Sequence, residues 1–292
     1  MKNYYSFLII IILAIPIQSY SSDTTLTQVK LQLKWKHQFQ FAGYYAAIEK
    51  GYYKELGIEV ELIEANNKEL PIDALISGKA QFATGTSDIV LLRAAGKPVV
   101  LLATIFQHSA QVLLVSETSK IEYVHSLVGK RLIIEPHAAD IIAYMKDEDV
   151  ALNRVIQLPH SFNINMLVEN KADAMTAYLT DEPFLLQQQS FDYKIFSPIS
   201  GNIDFYGDIL ITSEQLLKEN TDEIIELIYN KYSKRHSKEH LVFEAEKMKK
   251  LILSDVVPIG YSNYRRWEKT VKIYQETGLL DADEDITGLF YT

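Results

Sequence analysis

Polar and aromatic side chains follow directly after several segments whose alternation of apolar and polar residues predicts a β-strand. In an open parallel sheet, ligands bind in the crevice beyond the carboxyl ends of the strands. A set of such groups at several strand ends therefore predicts a cleft for a small, flat, polar ligand. The groups found at these ends are Trp35, His37 and Phe39; Gly85, Thr86 and Ser87; Gln107 and His108; Glu135, Pro136 and His137; and Tyr178 with Glu182.

Several of these groups also have a purely structural interpretation. Trp35 could belong to the core, because buried tryptophan is common. The Gly85-Thr86-Ser87 segment could be a turn that ends in a helix N-cap, although it also exposes backbone N–H groups that could hold a ligand oxygen. Glu182 could be a first-turn charge that stabilises a helix dipole without any ligand.

The sequence carries no recognisable pattern of a catalytic or cofactor-binding site. His37 and His108 are isolated and lack the spacing with which paired histidines hold zinc. The chain has no cysteine, which excludes disulfides, thiolate nucleophiles and iron–sulfur clusters. A nucleophile elbow, a phosphate-binding glycine loop and a dinucleotide fingerprint are also missing from the sequence. We therefore expect no catalytic residue, no cofactor and no bound metal.

Short strands alternate with amphipathic helices from Val29 onward, which predicts an α/β fold with parallel sheets. Ser87 is predicted to cap a helix that ends at Gly96, and Gly51 and Gly78 are predicted to end two earlier helices. The predicted strands are residues 29–33, 58–62, 81–83, 99–106, 131–134, 155–158 and 172–178, and the other predicted helices are 42–50, 69–77, 138–145 and 164–168.

An internal echo suggests how the chain is divided. Residues 111–117 (QVLLVSE) resemble residues 208–214 (DILITSE), and a self-contained series of strands and helices lies between them. Paired crossings between two lobes would explain this echo, although any two apolar strands resemble each other. We predict that residues 26–112 and 213–292 form lobe 1 and that residues 113–212 form an inserted lobe 2.

The first residues are typical of a secretory signal peptide. Lys2 is followed by an apolar run over residues 7–15, by Pro16 and by a small polar patch that ends in Ser21-Ser22. The run is about half of the roughly 20 residues that a membrane-spanning helix needs. We predict a cleaved signal peptide at residues 1–21 and a periplasmic mature protein, with an uncleaved membrane anchor as the alternative.

Length and charge limit the possible partners. The 292 residues suffice for about two folded lobes. The net charge of −9 argues against a nucleic-acid partner and against binding to an anionic membrane surface.

The segment LQLKWKHQFQFAGYYAA at residues 31–47, followed by EKGYYK at residues 49–54, resembles the thiamine-pyrimidine-precursor binding family of periplasmic solute-binding proteins. This family is related to the nitrate, sulfonate and taurine-type substrate-binding proteins of ABC transporters. Further motifs of the family recur at residues 85–88, 107–109, 127–131, 172–178, 180–184 and 205–208.

The resemblance implies a type II periplasmic-binding-protein fold, with two lobes joined by two hinge strands and the ligand in the cleft between them. It also implies a monomeric, non-enzymatic protein that captures an aminopyrimidine and delivers it to an ABC permease. The alternative is an extracytoplasmic sensor that acts with a signalling partner such as a sensor kinase. Some relatives are thiamine-pyrimidine synthases with a cysteine-rich iron site, which this cysteine-free chain could not build.

The resemblance also suggests roles for individual side chains. An aminopyrimidine needs an aromatic face and a carboxylate for the edge formed by its amine and ring nitrogen. The arm of the ligand could contact Gln107, His108 and the hydroxyls of Thr86 and Ser87. The candidates for stacking are Trp35, Tyr44, Tyr178 and Tyr206, and those for the carboxylate are Glu182 and Asp208, although Asp208 could instead make a hinge hydrogen bond.

Overall fold

The computed structural model describes residues 26–66, 68–160, 163–219, 260–284, 286 and 288–290. The predicted signal peptide at residues 1–21 lies outside this range. Within the described residues, no helix combines the length and the apolar character that crossing a bilayer requires.

The described residues form two five-stranded sheets. The first sheet has the order β2-β1-β3-β10-β4, and its strands are β1 Thr27–Gln32, β2 Ile58–Ile63, β3 Phe82–Gly85, β4 Val99–Thr104 and β10 Ile209–Ser213. The second sheet has the order β7-β6-β8-β5-β9, and its strands are β5 Gln111–Ser116, β6 Arg131–Ile133, β7 Ile156–Leu158, β8 Ala174–Tyr178 and β9 Tyr193–Phe196.

The two sheets share one plan of strand directions. β1 pairs in parallel with β2 and β3, as β6 does with β7 and β8. One antiparallel strand joins each sheet next to its third parallel strand, and these strands are β10 in the first sheet and β5 in the second. The two segments of the sequence echo therefore occupy equivalent places in the two sheets.

The chain passes from the first sheet to the second between β4 and β5, and it returns between β9 and β10. The chain has therefore entered the second sheet by Gln111, and it has returned to the first sheet by Ile209. The division into lobes at residues 112/113 and 212/213 stays a prediction about domain boundaries.

The helices cover the sheets and connect the parallel strands, as the periodicity predicts. Gly51 and Gly78 follow α1 and α3 with φ of 78° and 74°, a left-handed conformation that ends a helix. The helices are α1 Ala42–Glu49, α2 Tyr52–Glu55, α3 Pro71–Ile76, α4 Ile89–Ala94, α5 Ala139–Asp147, α6 Asn165–Val168, α7 Glu182–Gln188, α8 Glu214–Glu219 and α9 Tyr264–Glu276, with single 3₁₀ turns at Phe39–Phe41, Val124–Leu127, Leu152–Arg154 and Pro198–Gly201.

The predicted cap at Ser87 is wrong. Helix α4 begins at Ile89, its N-cap position is Asp88, and no side chain caps it. The Ser87 hydroxyl instead lies 3.0 Å from the hydroxyl of Tyr274, a fully buried residue of α9. Buried hydroxyl groups need a partner, and Ser87 and Tyr274 satisfy each other.

The largest apolar cluster draws on both sheets. It includes Ala83 and Ile211 from the first sheet, Leu113 and Leu132 from the second, and Trp267 from α9. Each sheet with the helices that cover it forms one half of the molecule. The two halves are therefore held together by shared apolar burial as well as by the two chain connections.

Candidate functional site

A cavity of about 260 Å³ lies between the two halves of the molecule. It is reached from the carboxyl ends of four parallel strands: β1 and β2 of the first sheet, and β6 and β7 of the second. This is the position at which open α/β sheets bind ligands. Its walls are formed by Lys34, Trp35, Ala65, Asn66, Lys68, Glu69, Leu70, Pro71, Asp73, Pro136, His137 and His160.

Two aromatic rings from opposite halves meet at this cavity. The rings of Trp35 and His160 have centroids 5.5 Å apart and planes inclined by 57°. The Trp35 carbonyl accepts a hydrogen bond from the Ala65 backbone N–H at 3.2 Å, which fixes the end of β1 against the loop that follows β2. Burial, and then the charge of His137, lower the pKa of His160. The imidazole is thereby kept neutral near pH 7, and the two rings form an uncharged surface for a flat solute.

Next to these rings lies a buried group of polar side chains around Lys34. The ammonium Nζ of Lys34 is 3.0 Å from the carboxylate Oδ1 of Asp208, and it donates a hydrogen bond to the Tyr178 hydroxyl. The Tyr178 hydroxyl donates to Asp208 Oδ1 at 2.8 Å, while Gln40 Nε2 donates to Asp208 Oδ2 at 3.0 Å. The Lys34 ammonium also lies 4.0 Å from the centre of the Tyr178 ring.

This group joins elements that are far apart in sequence. Lys34 follows β1, Tyr178 ends β8 and Asp208 precedes β10. The backbone N–H of Lys34 donates to Thr84 Oγ1 at 2.8 Å, which fixes the lysine against the end of β3. Burial, and then the charge of Asp208, raise the pKa of Tyr178 well above its ordinary value, so its hydroxyl stays protonated and acts as the donor to Asp208. We call Lys34, Trp35, His160, Tyr178 and Asp208 the cavity cluster.

A second bridge joins the two halves at the cavity wall. His137 Nδ1 lies 3.1 Å from Asp88 Oδ2, and the Thr86 hydroxyl donates to Asp88 Oδ1 at 2.6 Å. Burial opposes ionisation of Asp88, but hydrogen bonds from His137 and Thr86 and the charge of Lys34 outweigh it and lower its pKa. Behind this bridge, burial raises the pKa of the Glu135 carboxyl although the charges of Lys34 and His137 act against it.

The structure brings five of the predicted site residues to the cavity or to the polar groups beside it, and one of them is Thr86 in the bridge with Asp88 and His137. Trp35 lines the cavity, Tyr178 and Asp208 pair with Lys34, and Phe39 packs in a small apolar cluster with Tyr178. Glu182 lies close by, but its carboxylate accepts the backbone N–H of Tyr178 at 2.7 Å. Burial, followed by the charge of Asp181, raises the pKa of Glu182 well above its ordinary value.

Three other predicted residues lie together in a separate group. Gln107 donates to the Tyr261 carbonyl at 2.9 Å, and His108 Nδ1 lies 2.6 Å from Asp204 Oδ1. The Tyr206 ring lies against Trp267, with centroids 5.0 Å apart, and beneath the Arg266 guanidinium, which is 4.3 Å from its centre. We call Gln107, His108, Asp204, Tyr206, Arg266 and Trp267 the C-terminal cluster, because α9 supplies two of its members.

The remaining predicted residues have individual structural contacts. Tyr44 belongs to the apolar core of the first half, and Ser87 pairs with Tyr274. The His37 backbone N–H donates to Glu64 at 2.8 Å, and its ring lies beside Tyr45. Gly85 ends β3 opposite Ile209. The roles of all the predicted residues as ligand contacts stay predictions.

Sequence reasoning did not select Lys34 or His160, and it named His137 only as a group at a strand end. His137 belongs to a strand end that the sequence analysis identified, and His160 follows the end of β7 by two residues. The strand-end rule could therefore have found His160 as well. Lys34 gave no such signal, because a lysine beside an exposed-looking strand end is ordinarily solvated.

The donor set does not favour a metal. Among the described ranges, no group of three or more histidine, aspartate or glutamate side chains is arranged to hold a metal ion. The cavity is lined instead by rings, two lysines and two carboxylates.

Two five-stranded α/β halves with a cavity at their parallel-strand ends define a periplasmic-binding-protein fold. The alkanesulfonate-binding protein SsuA from Xanthomonas axonopodis pv. citri, solved with bound MOPS, superimposes with a TM-score of 0.65 at 12% identity, over 91% of this chain and 98% of that one. A Candida albicans gene product described as having the generic periplasmic binding protein fold gives a TM-score of 0.62 at 12% identity, over 91% of this chain and 96% of its own. The predicted fold class is confirmed.

Residues 38–229 match the family described as NMT1/THI5 like, and the chain belongs to this family. It is 23% identical to the formylaminopyrimidine-binding protein of Halalkalibacterium halodurans over 70% of this chain, and the match spans 64% of that protein's length. It is also 23% identical to the riboflavin-binding protein RibY of Chloroflexus aurantiacus, over 92% of this chain and 86% of that one. These findings confirm the resemblance that the motifs indicate.

Proposed function

We propose that this protein is the solute-binding component of an ABC importer and that it captures a thiamine pyrimidine precursor, a hydroxymethyl- or formamidomethyl-aminopyrimidine. The observation that supports this most directly is the Trp35 ring in a cavity at the ends of β1, β2, β6 and β7. An indole face beside the neutral His160 ring suits a flat heteroaromatic solute.

The size of the cavity favours a single-ring ligand. Its volume of about 260 Å³ lies just below the roughly 300–1,000 Å³ of pockets that hold drug-sized molecules. A pyrimidine with a short arm fits this range better than the tricyclic ring system of riboflavin, the ligand in the name of the second relative.

The charges of the cavity favour a neutral ligand. Its wall has two lysines, Lys34 and Lys68, and two carboxylates, Glu69 and Asp73. Lys34 is already neutralised by Asp208. An anion such as a sulfonate would lose its hydration and would gain only Lys68, an exposed lysine whose charge is screened by water.

Capture would follow the closing of the two halves over the solute, since both contribute to the cavity wall. The His137–Asp88 bridge and the Lys34–Tyr178 contact each join the two halves and would stabilise the closed form. In this proposal the protein acts in the periplasm as a monomer, has no enzymatic activity and presents its closed form to a membrane permease.

Isothermal titration calorimetry with the purified chain tests the ligand. The panel is the hydroxymethyl- and formamidomethyl-aminopyrimidines, thiamine, riboflavin and an alkanesulfonate. We expect saturable binding of the aminopyrimidines, at least about tenfold tighter than any other member. Tighter binding of riboflavin or of the sulfonate would overturn the proposed ligand class.

A further inference from the structure

Lys34 is a buried cation at the wall of a cavity, and its hydrogen bonds can be counted. Its side chain is 4% exposed. An ammonium group has three N–H donors and no acceptor. The Tyr178 hydroxyl donates a hydrogen bond to Asp208 Oδ1. Its oxygen must therefore accept the hydrogen bond from Lys34. A second N–H of Lys34 points to Asp208 Oδ1 at 3.0 Å.

This count leaves the third N–H of the Lys34 ammonium without a hydrogen-bond acceptor. Among the residues that the structure describes, the Lys34 ammonium has no hydrogen-bond partner besides the Tyr178 hydroxyl and Asp208, and its remaining contact is the face of the Tyr178 ring, a weaker acceptor than an oxygen. The other oxygen of Asp208 is occupied by Gln40 Nε2. A buried donor without a partner costs free energy, and a ligand acceptor in the adjoining cavity would satisfy it.

The acceptor should be uncharged. Asp208 is as buried as Lys34 and balances its charge. The ion pair therefore offers a strong, charge-assisted hydrogen bond without offering net charge to an anion. A carbonyl or hydroxyl oxygen fits this donor better than a carboxylate or a sulfonate does.

We infer that Lys34 determines ligand specificity by donating its remaining N–H to an uncharged oxygen on the arm of a flat heteroaromatic solute whose ring lies against Trp35. This inference rests on the proposed function and adds to it the chemical feature by which the solute is selected. Lys34 would reject a solute that lacks the oxygen, since the donor would then stay buried and unpaired.

The test compares two ligands that differ only by this oxygen: hydroxymethyl-aminopyrimidine and the analogue with a methyl group in place of the hydroxymethyl arm. Calorimetry with the wild-type chain should show a preference of about ten- to a hundredfold for the ligand with the oxygen. The double variant Lys34→Met with Asp208→Asn removes the cation and the anion together. It avoids a lone buried charge, and it should bind both ligands with the weak affinity of the methyl analogue.

Lys30→Met is the matched control. Lys30 is on β1, four residues before Lys34, but it pairs at the surface with Glu61 at 3.3 Å. It should keep the wild-type preference, and circular dichroism melting should show that all variants are folded.

The outcomes separate the two proposals. A double variant that still prefers the oxygen-bearing ligand would overturn the role of Lys34, as would a wild-type chain that binds both aminopyrimidines equally. Either result would leave the proposed function intact. A wild-type chain that binds neither aminopyrimidine would overturn both proposals.

Discussion

The cavity cluster and the C-terminal cluster contain the same three kinds of group in nearly the same arrangement. In one, Lys34 lies over the Tyr178 ring at 4.0 Å and pairs with Asp208. In the other, Arg266 lies over the Tyr206 ring at 4.3 Å and pairs with Asp204 at 3.0 Å. Each also includes one of the two tryptophans of the chain. The residue types alone would not distinguish a binding site from a structural cluster.

Burial distinguishes the two clusters. The side chains of Lys34 and Asp208 are each 4% exposed, whereas those of Arg266 and Asp204 are 22% and 31% exposed. The tryptophans show the opposite difference in burial. Trp35 lines a cavity, while Trp267 is fully buried against Tyr206 and Phe290. The cavity cluster combines buried charges with a ring that lines a cavity, and the C-terminal cluster combines partly exposed charges with a ring in the core.

The largest expected effect comes from removing the carboxylate of each ion pair. Asp208→Asn leaves the Lys34 charge buried and should lower the free energy of unfolding by about 3–5 kcal/mol. Asp204→Asn breaks a partly hydrated pair and should cost no more than about 1 kcal/mol. Urea unfolding of both variants measures the difference. Equal losses would mean that the two pairs are equivalent.

Asp140 is a buried carboxylate that accepts hydrogen bonds from the Ser109 hydroxyl and the Ile141 N–H. Burial raises the pKa of Asp140 from 3.8 to about 7. Hydrogen bonds from Ser109 and from the Ile141 N–H act in the opposite direction but are outweighed by burial. Between these values the folded protein holds a proton that the unfolded chain has released. The free energy of unfolding should therefore fall as the pH rises through this range, and this contribution should be lost by about pH 7.

The variant Asp140→Asn removes this pH dependence while keeping the shape of the side chain. From about pH 5 to about pH 8, the wild type should lose roughly 3 kcal/mol relative to the variant. Urea unfolding of both proteins at the two pH values checks this. Relative to the wild type, the variant should have a higher free energy of unfolding at pH 8 than at pH 5. Parallel pH profiles for the two proteins would show that Asp140 is already ionised in the fold.

The two tryptophans should report differently on ligand binding. Trp267→Phe should keep the fluorescence change caused by the aminopyrimidine, and Trp35→Phe should lose most of it. Loss of the ring in Trp35→Ala should weaken binding roughly tenfold or more, because stacking contributes about 0.5–1.5 kcal/mol beyond burial. A signal that follows Trp267, or normal binding by Trp35→Ala, would place the ligand away from the cavity.

The smallest effect is expected from the histidine of the C-terminal cluster. His108→Gln weakens a partly exposed pair with Asp204 and should change stability by less than about 1 kcal/mol. It should leave ligand affinity unchanged, whereas His160→Gln removes a ring of the cavity wall and should weaken binding severalfold. Titration calorimetry on both variants decides this, and loss of binding in His108→Gln would support the predicted contact of His108 with the ligand.

Local sequence patterns were sufficient for most of the elements and for the edge of the sheets at which the cavity lies, although they did not predict β9 or α7. The strand predicted at residues 58–62 is observed at Ile58–Ile63, and the helix predicted at residues 42–50 is observed at Ala42–Glu49. Apolar periodicity and helix-ending glycines depend on residues a few positions apart, so the sequence displays them directly. The rule that ligands bind at carboxyl strand ends also selects Trp35, which lines the cavity in the structure.

Only the tertiary structure decided which strand-end residues meet. Gln107 and His108 follow β4 as Trp35 follows β1, yet their side chains contact Tyr261 and Asp204 in the C-terminal cluster. From its sequence context alone, Lys34 would be expected to be a solvated surface lysine. Its burial depends on Asp208 and Tyr178, which come from distant segments and reach Lys34 only when the two sheets pack together. Since a buried charge is tolerated only with its partner in place, that pairing is decided by packing between the sheets and has no local signature in the chain.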